Sequence, residues 1–222
     1  MVKLYKNVQK VYNVKMNDKY RLNRDKLLSV LSIWDSQLQL PVLLVACGGT
    51  ALTLQGYKSS TKDVDFLVPY PDQFEVLAAF LHNQGYERRT GYGYKHPKEP
   101  WIFDLFIGQT IFQTELLDPI HESANHRVIK AYDHLILACL NSEDLIISKM
   151  FRGTLVDVQD SVLLIEEEHL DLGSLGIRYV ETASYYHNPE KCKKNMGYLI
   201  AELDEKGIDT DLLVEVYERW NP

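Results

Sequence analysis

The chain has 222 residues, 45% of them hydrophobic and 25% charged, a length that fits one compact domain or a core with a smaller satellite. Its formal net charge of -7 argues against broad binding to nucleic acid, which rests on phosphate neutralisation. No apolar run approaches the roughly 20 residues of a membrane helix, and Cys47, Cys139 and Cys192 show neither zinc spacing nor a disulfide framework, which suits a reducing cytoplasm.

The first twenty residues carry Lys3, Lys6, Lys10, Lys15 and Lys19 among tyrosines and valines. Without an apolar stretch this segment is not expected to be a signal peptide, and a basic arm of this kind reads first as a solvated surface. Asn23 reads as the N-cap of a helix bearing Leu27, Leu28, Leu31 and Trp34. Pro41 closes that region, and residues 42–47 read as a buried strand. The pair Gly48-Gly49 follows, then a short helix over 51–55 ended by Gly56.

Residues 63–68 form a second expected strand. Pro71 opens a helix whose stripe is Phe74, Leu77, Ala78 and Leu81, ending near Gly85. Residues 86–96 alternate weakly and read as a third strand with a glycine-rich bend. Residues 101–107 are another strand, and 127–140 hold one or two more, with Asp133-His134 as a turn between them. From Ser142 onward helical periodicity takes over, at 142–151, 156–170, around 180–186, 192–204 and 209–220. The expected organisation is an α/β core over 1–140 and a C-terminal helical region over 141–222.

The chemistry concentrates in three places. Asp63 and Asp65 are one residue apart in an apolar run, and in a strand residues i and i+2 face the same way. Two like charges held together repel, more so when partly buried, and a divalent cation is the simplest compensation. Asp104 is the lone charge in Trp101-Ile102-Phe103-Asp104-Leu105-Phe106-Ile107, costly in an apolar strand unless paired or metal-bound. If the two strands adjoin, three carboxylates surround one point, a donor set that suits Mg²⁺ or Mn²⁺. The plainer alternative is that Asp63 caps a strand entry and Asp104 pairs with a buried Lys or Arg. Gly48 and Gly49, between a strand and a helix, would let backbone N–H groups approach a phosphate, with the Thr50 hydroxyl as a further donor.

Gly48-Gly49-Thr50, then Asp63-Val64-Asp65-Phe66, then Asp104 on a later strand, resembles the signature of the DNA polymerase beta-type nucleotidyltransferases. The likeness is to their minimal branch, which includes the nucleotidyltransferase toxins of type IV toxin–antitoxin systems. It spans residues 42–107, with an echo in Ser142-Glu143-Asp144-Leu145-Ile146, Lys149, Arg152, Asp157 and Asp160.

The resemblance implies an α+β fold, with a nucleotidyltransferase-type mixed sheet, flanking helices and a C-terminal helical region. It implies transfer of a nucleoside monophosphate from a nucleoside triphosphate, ATP among them, to an acceptor hydroxyl or phosphate, with release of pyrophosphate. Gly48, Gly49 and Thr50 would hold the triphosphate and Lys149 would reach it. Asp63, Asp65 and Asp104 would be the catalytic and metal-binding carboxylates for Mg²⁺ or Mn²⁺. A transfer RNA, a protein and a small hydroxylated molecule stay open as acceptors, and a cognate antitoxin would be a partner.

The chain departs from the family pattern at Gly49, where many relatives have Ser. The alternative function is a non-catalytic nucleotide-binding or partner-binding module on the same fold. For Lys149, Arg152, Asp157 and Asp160 an ion-paired or solvated helix face is an equal reading. For Tyr92, Tyr94, Lys95 and His96 a twisted hairpin with surface tyrosines is preferred over a stacking platform.

Overall fold

Val42–Ala46 is the first strand, β1, five residues that are all buried. The computed structural model describes residues 21–222 except position 90, so the basic arm of residues 1–20 lies outside them. By its internal contacts the chain divides into two units. One comprises the described residues up to Ile107 with Val128–Cys139, and the other Gly108–Arg127 with Leu140–Pro222.

In the first unit, helix α1 (Arg24–Asp35) is capped by the Asn23 side chain, which accepts from Lys26 N–H. Its apolar stripe buries Leu27, Leu31 and Trp34. After β1 come α2 (Gly48–Gln55), β2 (Val64–Val68) and α3 (Pro71–Asn83), the last opened by its proline. The expected strand over 86–96 is a hairpin of two short strands, β3 (Glu87–Arg88) and β4 (Gly93–Lys95). Then follows β5 (Phe103–Ile107).

Two strands make the small ribbon β6 (Thr110–Ile111) and β7 (Thr114–Glu115) of the second unit. The one or two strands expected over 127–140 are two, β8 (His126–Ala131) and β9 (Leu135–Leu140). Among the described residues the main sheet has seven strands in the order β3-β4-β5-β2-β1-β9-β8.

That sheet is mixed. β1 runs antiparallel to β2 and parallel to β9, while β2 runs parallel to β5. The central strands read as apolar runs because both their faces are covered. α3 packs on β1 and β2, and α2 on β2. Trp34 lies 4.7 Å from Phe103 between ring centroids, with Phe80 and Tyr86 edge-on to it. The buried Asp35 ends α1 by accepting from the N–H groups of His134 and Leu135, at 2.7 and 2.9 Å, which ties that helix to the start of β9.

The second unit is mostly helical: α4 (Ser142–Arg152), α5 (Leu155–Glu168), α6 (Leu172–Ser184), α7 (Pro189–Glu205) and α8 (Asp211–Arg219). Asn141 caps α4, and Thr154 with Asp157 forms a reciprocal capping box at α5. Helix α6 begins well before the expected segment at 180. Gly173 and Gly176 weaken the helical signal in sequence. A Cβ on Gly176 would lie 2.9 Å from Leu213 Cδ1 of α8, so the bare glycine leaves room for that side chain. The architecture is thus α+β, a mixed sheet with flanking helices and a set of C-terminal helices. Among the described residues no helix is long and apolar enough to cross a membrane.

Candidate active site

The site is built where β1 runs out. Continuing the β1–β2 ladder beyond Ala46↔Phe66 would pair Cys47 with Asp65 through two hydrogen bonds. One of them forms, Cys47 N–H donating to the Asp65 carbonyl at 3.1 Å. The Cys47 carbonyl instead accepts from Ala51 N–H at 3.1 Å, the first bond of α2. The helix therefore starts at Gly48, one turn earlier than the sequence suggests, and the glycine pair is its first turn. Among the described residues no side-chain hydrogen bond caps it.

Gly48 has φ 55°, in the left-handed region, and a Cβ there would come within 2.5 Å of Asp65 Oδ2. Only glycine allows both that backbone and that approach. The Asp65 carboxylate consequently lies against the start of a helix, where the N-terminal dipole favours negative charge.

Thr50 is fully buried. Its Oγ1 accepts from Asp65 N–H at 2.9 Å and donates to the Asp63 carbonyl at 3.3 Å. Thr61, a residue that the sequence pattern does not single out, donates its hydroxyl to the same carbonyl at 2.7 Å. A two-way backbone bridge between Leu22 and Thr61 anchors it. With its carbonyl taken by hydroxyls, Asp63 lies in a bend just ahead of β2, exposed, rather than inside the strand.

Asp65 and Asp104 are register partners on the parallel strands β2 and β5, so their side chains share a face. Val64 and Phe66 are fully buried on the other face. Across Asp104 on its other flank stands Gly93 of β4, which leaves that side of the carboxylate without a neighbouring side chain in register. Burial, and then the charge of Asp63, raise the pKa of Asp104 above the ordinary carboxylate value. No cationic side chain among the described residues offsets these effects.

Among the described residues, no group of three or more His, Cys, Asp or Glu side chains is placed to hold a metal ion. Magnesium, however, is commonly bound by one or two carboxylates and completed by water and substrate phosphates. Oxygen-only donors, two like charges in register and an exposed third carboxylate fit a site of that open kind.

Lys149 belongs to the second unit and is 3% exposed. Its Nζ donates to Asp160 Oδ2 at 2.7 Å and lies 3.9 Å from Asp157 Oδ1. Arg152 binds Asp157 through two donors, at 2.8 and 2.5 Å. Burial alone would raise the pKa of Asp157, but hydrogen bonds from Arg152 and Thr154 overcome it and hold the carboxyl below its ordinary value. The four residues thus form one ion-paired cluster across α4 and α5. In and beside the β3–β4 hairpin, Tyr94 is buried, the His96 ring packs tilted against Tyr86 at 5.2 Å, and Tyr92 is 44% exposed against Phe106.

No family model and no curated protein matches the chain. Among solved structures it is similar to ANT(2″)-Ia in complex with adenylyl-2″-tobramycin. That similarity has 13% identity, covers 71% of this chain and 95% of that one, and has a TM-score of 0.48. It is also similar to an antigenic nucleotidyltransferase-like protein from Paracoccidioides brasiliensis, at 14% identity over 89% of this chain and 94% of that one, with a TM-score of 0.49.

Proposed function

We propose that the chain is a metal-dependent nucleotidyltransferase, moving a nucleoside monophosphate from a nucleoside triphosphate to an acceptor and releasing pyrophosphate. One observation carries this reading: a glycine helix start lies directly against Asp65, which is itself in register with Asp104 on the next strand. In this reading Asp63 and Asp65 would hold Mg²⁺ or Mn²⁺, and Asp104 would serve the acceptor side. The ion, when bound, neutralises the triphosphate and stabilises charge on the transferring phosphoryl group.

The first-turn amides of α2 at Gly48 and Gly49 receive phosphate oxygens, where the backbone is bare and the helix dipole favours an anion. The acceptor oxygen bonds to the α-phosphorus, and the bond from that phosphorus to the bridging oxygen breaks. The electron pair leaves with pyrophosphate. The acceptor's proton passes to an Asp104 carboxylate oxygen. Catalysis in this account is positioning and charge stabilisation, without a covalent enzyme intermediate.

The test is incubation of the chain with Mg²⁺, α-labelled nucleoside triphosphates and cell extract, separated into nucleic acid, protein and small-molecule fractions. Label should enter one fraction with the parent, and be lost with Asp63→Ala and with Asp65→Ala while their thermal melts persist. Label transferred equally by both variants would remove the assignment. The same fractionation separates a transfer RNA, a protein and a small molecule as acceptors. Growth arrest on induction of the parent, relieved by Asp65→Ala, would extend the reading to a toxin.

A further inference from the structure

We infer that Thr50 and Thr61 are positioning residues, whose two hydroxyls fix the Asp63–Asp65 backbone and thereby aim its carboxylates, while neither hydroxyl binds the nucleotide. For its effect on transfer the inference rests on the function proposed above. For the backbone clamp itself it rests on geometry alone.

The geometry begins with an interrupted ladder. Asp65 N–H would ordinarily find the Cys47 carbonyl, but α2 has taken that acceptor through Ala51 N–H. A buried N–H without an acceptor is unfavourable. Thr50 Oγ1, reaching back from the third residue of the helix, supplies one at 2.9 Å. The single hydroxyl hydrogen of Thr50 is directed at the Asp63 carbonyl, 3.3 Å away. The second lone pair of that carbonyl is met by the Thr61 hydroxyl at 2.7 Å.

Both carbonyl lone pairs of Asp63 and the amide of Asp65 are therefore held by side-chain oxygens, at the point where β2 has not yet joined its regular ladder with β1. Thr50 is fully buried and Thr61 is 7% exposed. A phosphate could draw the Thr50 hydrogen only by breaking the clamp. Phosphate contacts at this turn thus fall to the backbone of Gly48 and Gly49. The Oγ1 of Thr61 also lies 3.0 Å from where a Cβ on Gly49 would be, so the clamp and the second glycine are packed as one piece.

The experiment compares the parent with Thr50→Val, Thr50→Ser and Thr61→Val. Three readouts are used: amide hydrogen exchange of residues 62–66 without ligand, Mn²⁺ binding by electron paramagnetic resonance, and the split between kcat and KM. The clamp predicts faster Asp65 amide exchange and weaker Mn²⁺ binding in Thr50→Val, both restored toward the parent in Thr50→Ser. It predicts a fall in kcat of about tenfold or more, as small misplacements of reacting groups produce, with KM for the triphosphate changed by no more than about threefold.

A parental exchange rate at Asp65 in Thr50→Val overturns the inference. So does a tenfold rise in KM with Mn²⁺ binding unchanged, which would make Thr50 a phosphate ligand. If Thr50→Val does not fold, Thr61→Val decides on the same readouts. If the parent transfers no nucleotide, the proposed function fails, and exchange with Mn²⁺ binding still scores the clamp.

Discussion

Gly48→Ala perturbs the site at its tightest point, and Gly56→Ala supplies its control from the other end of the same helix. Both glycines have positive φ, 55° and 91°, so either alanine pays a left-handed strain of about 1–2 kcal/mol. In a chain of this size 1 kcal/mol moves Tm by about 2–4 °C, so each variant should melt roughly 2–8 °C lower. They differ in what the new methyl meets. At Gly56 no atom of the described residues lies within 4 Å, whereas at Gly48 Asp65 Oδ2 lies at 2.5 Å.

Real Cβ contacts are not made below 3.0 Å and become ordinary at 3.4 Å, so the Asp65 carboxylate must retreat by about 0.5–0.9 Å. Misplacement on the order of 1 Å costs about a hundredfold in rate. Gly48→Ala should therefore transfer nucleotide about ten- to a hundredfold more slowly per folded molecule, with Gly56→Ala within about twofold of the parent. The assay is labelled nucleotide transfer at a temperature where circular dichroism shows both variants folded. Equal rates for Gly48→Ala and the parent, or equal losses in the two variants, would refute the reasoning.

Two further outcomes concern the ion pairs of the second unit. Lys149→Met removes the buried cation that pairs with Asp160 and should cost about 3–5 kcal/mol in denaturant unfolding, while Lys149→Met with Asp160→Leu should recover most of it. No recovery in the double variant would contradict the pairing. Asp157 has its folded pKa below the unfolded one, so its stabilisation is complete above the ordinary carboxylate range. It is lost as pH falls from that range through the lower folded value. Acid titration of Tm should show this loss in the parent and a smaller one in Asp157→Asn; parallel curves would contradict it.

Sequence carried the local part of this structure well. The apolar run at 42–47 is legible as β1 because both faces of a central strand are buried, and the run around Asp104 is legible as β5 for the same reason. The pairing of Asp65 with Asp104 is not legible, because register is set by contacts between strands that lie far apart in the chain. Thr50 illustrates a subtler miss. Reading the helix from Ala51 turns its hydroxyl toward a ligand, whereas a helix starting at Gly48 turns it inward to Asp63 and Asp65. Thr61 carries no local signal at all, since its hydroxyl matters only once Asp63 is folded against it. The early start of α6 was hidden by Gly176, whose missing side chain makes room for Leu213.

The central claim is that Asp63, Asp65 and Asp104 serve nucleotidyl transfer, and the most direct measurement is pyrophosphate release alongside label fixed in acceptor. With Mg²⁺ and the labelled extract fraction, the parent should release pyrophosphate in step with nucleotide transferred, and Asp65→Asn should do neither. Release of inorganic phosphate in place of pyrophosphate, or an Asp65→Asn variant as fast as the parent, would contradict the account.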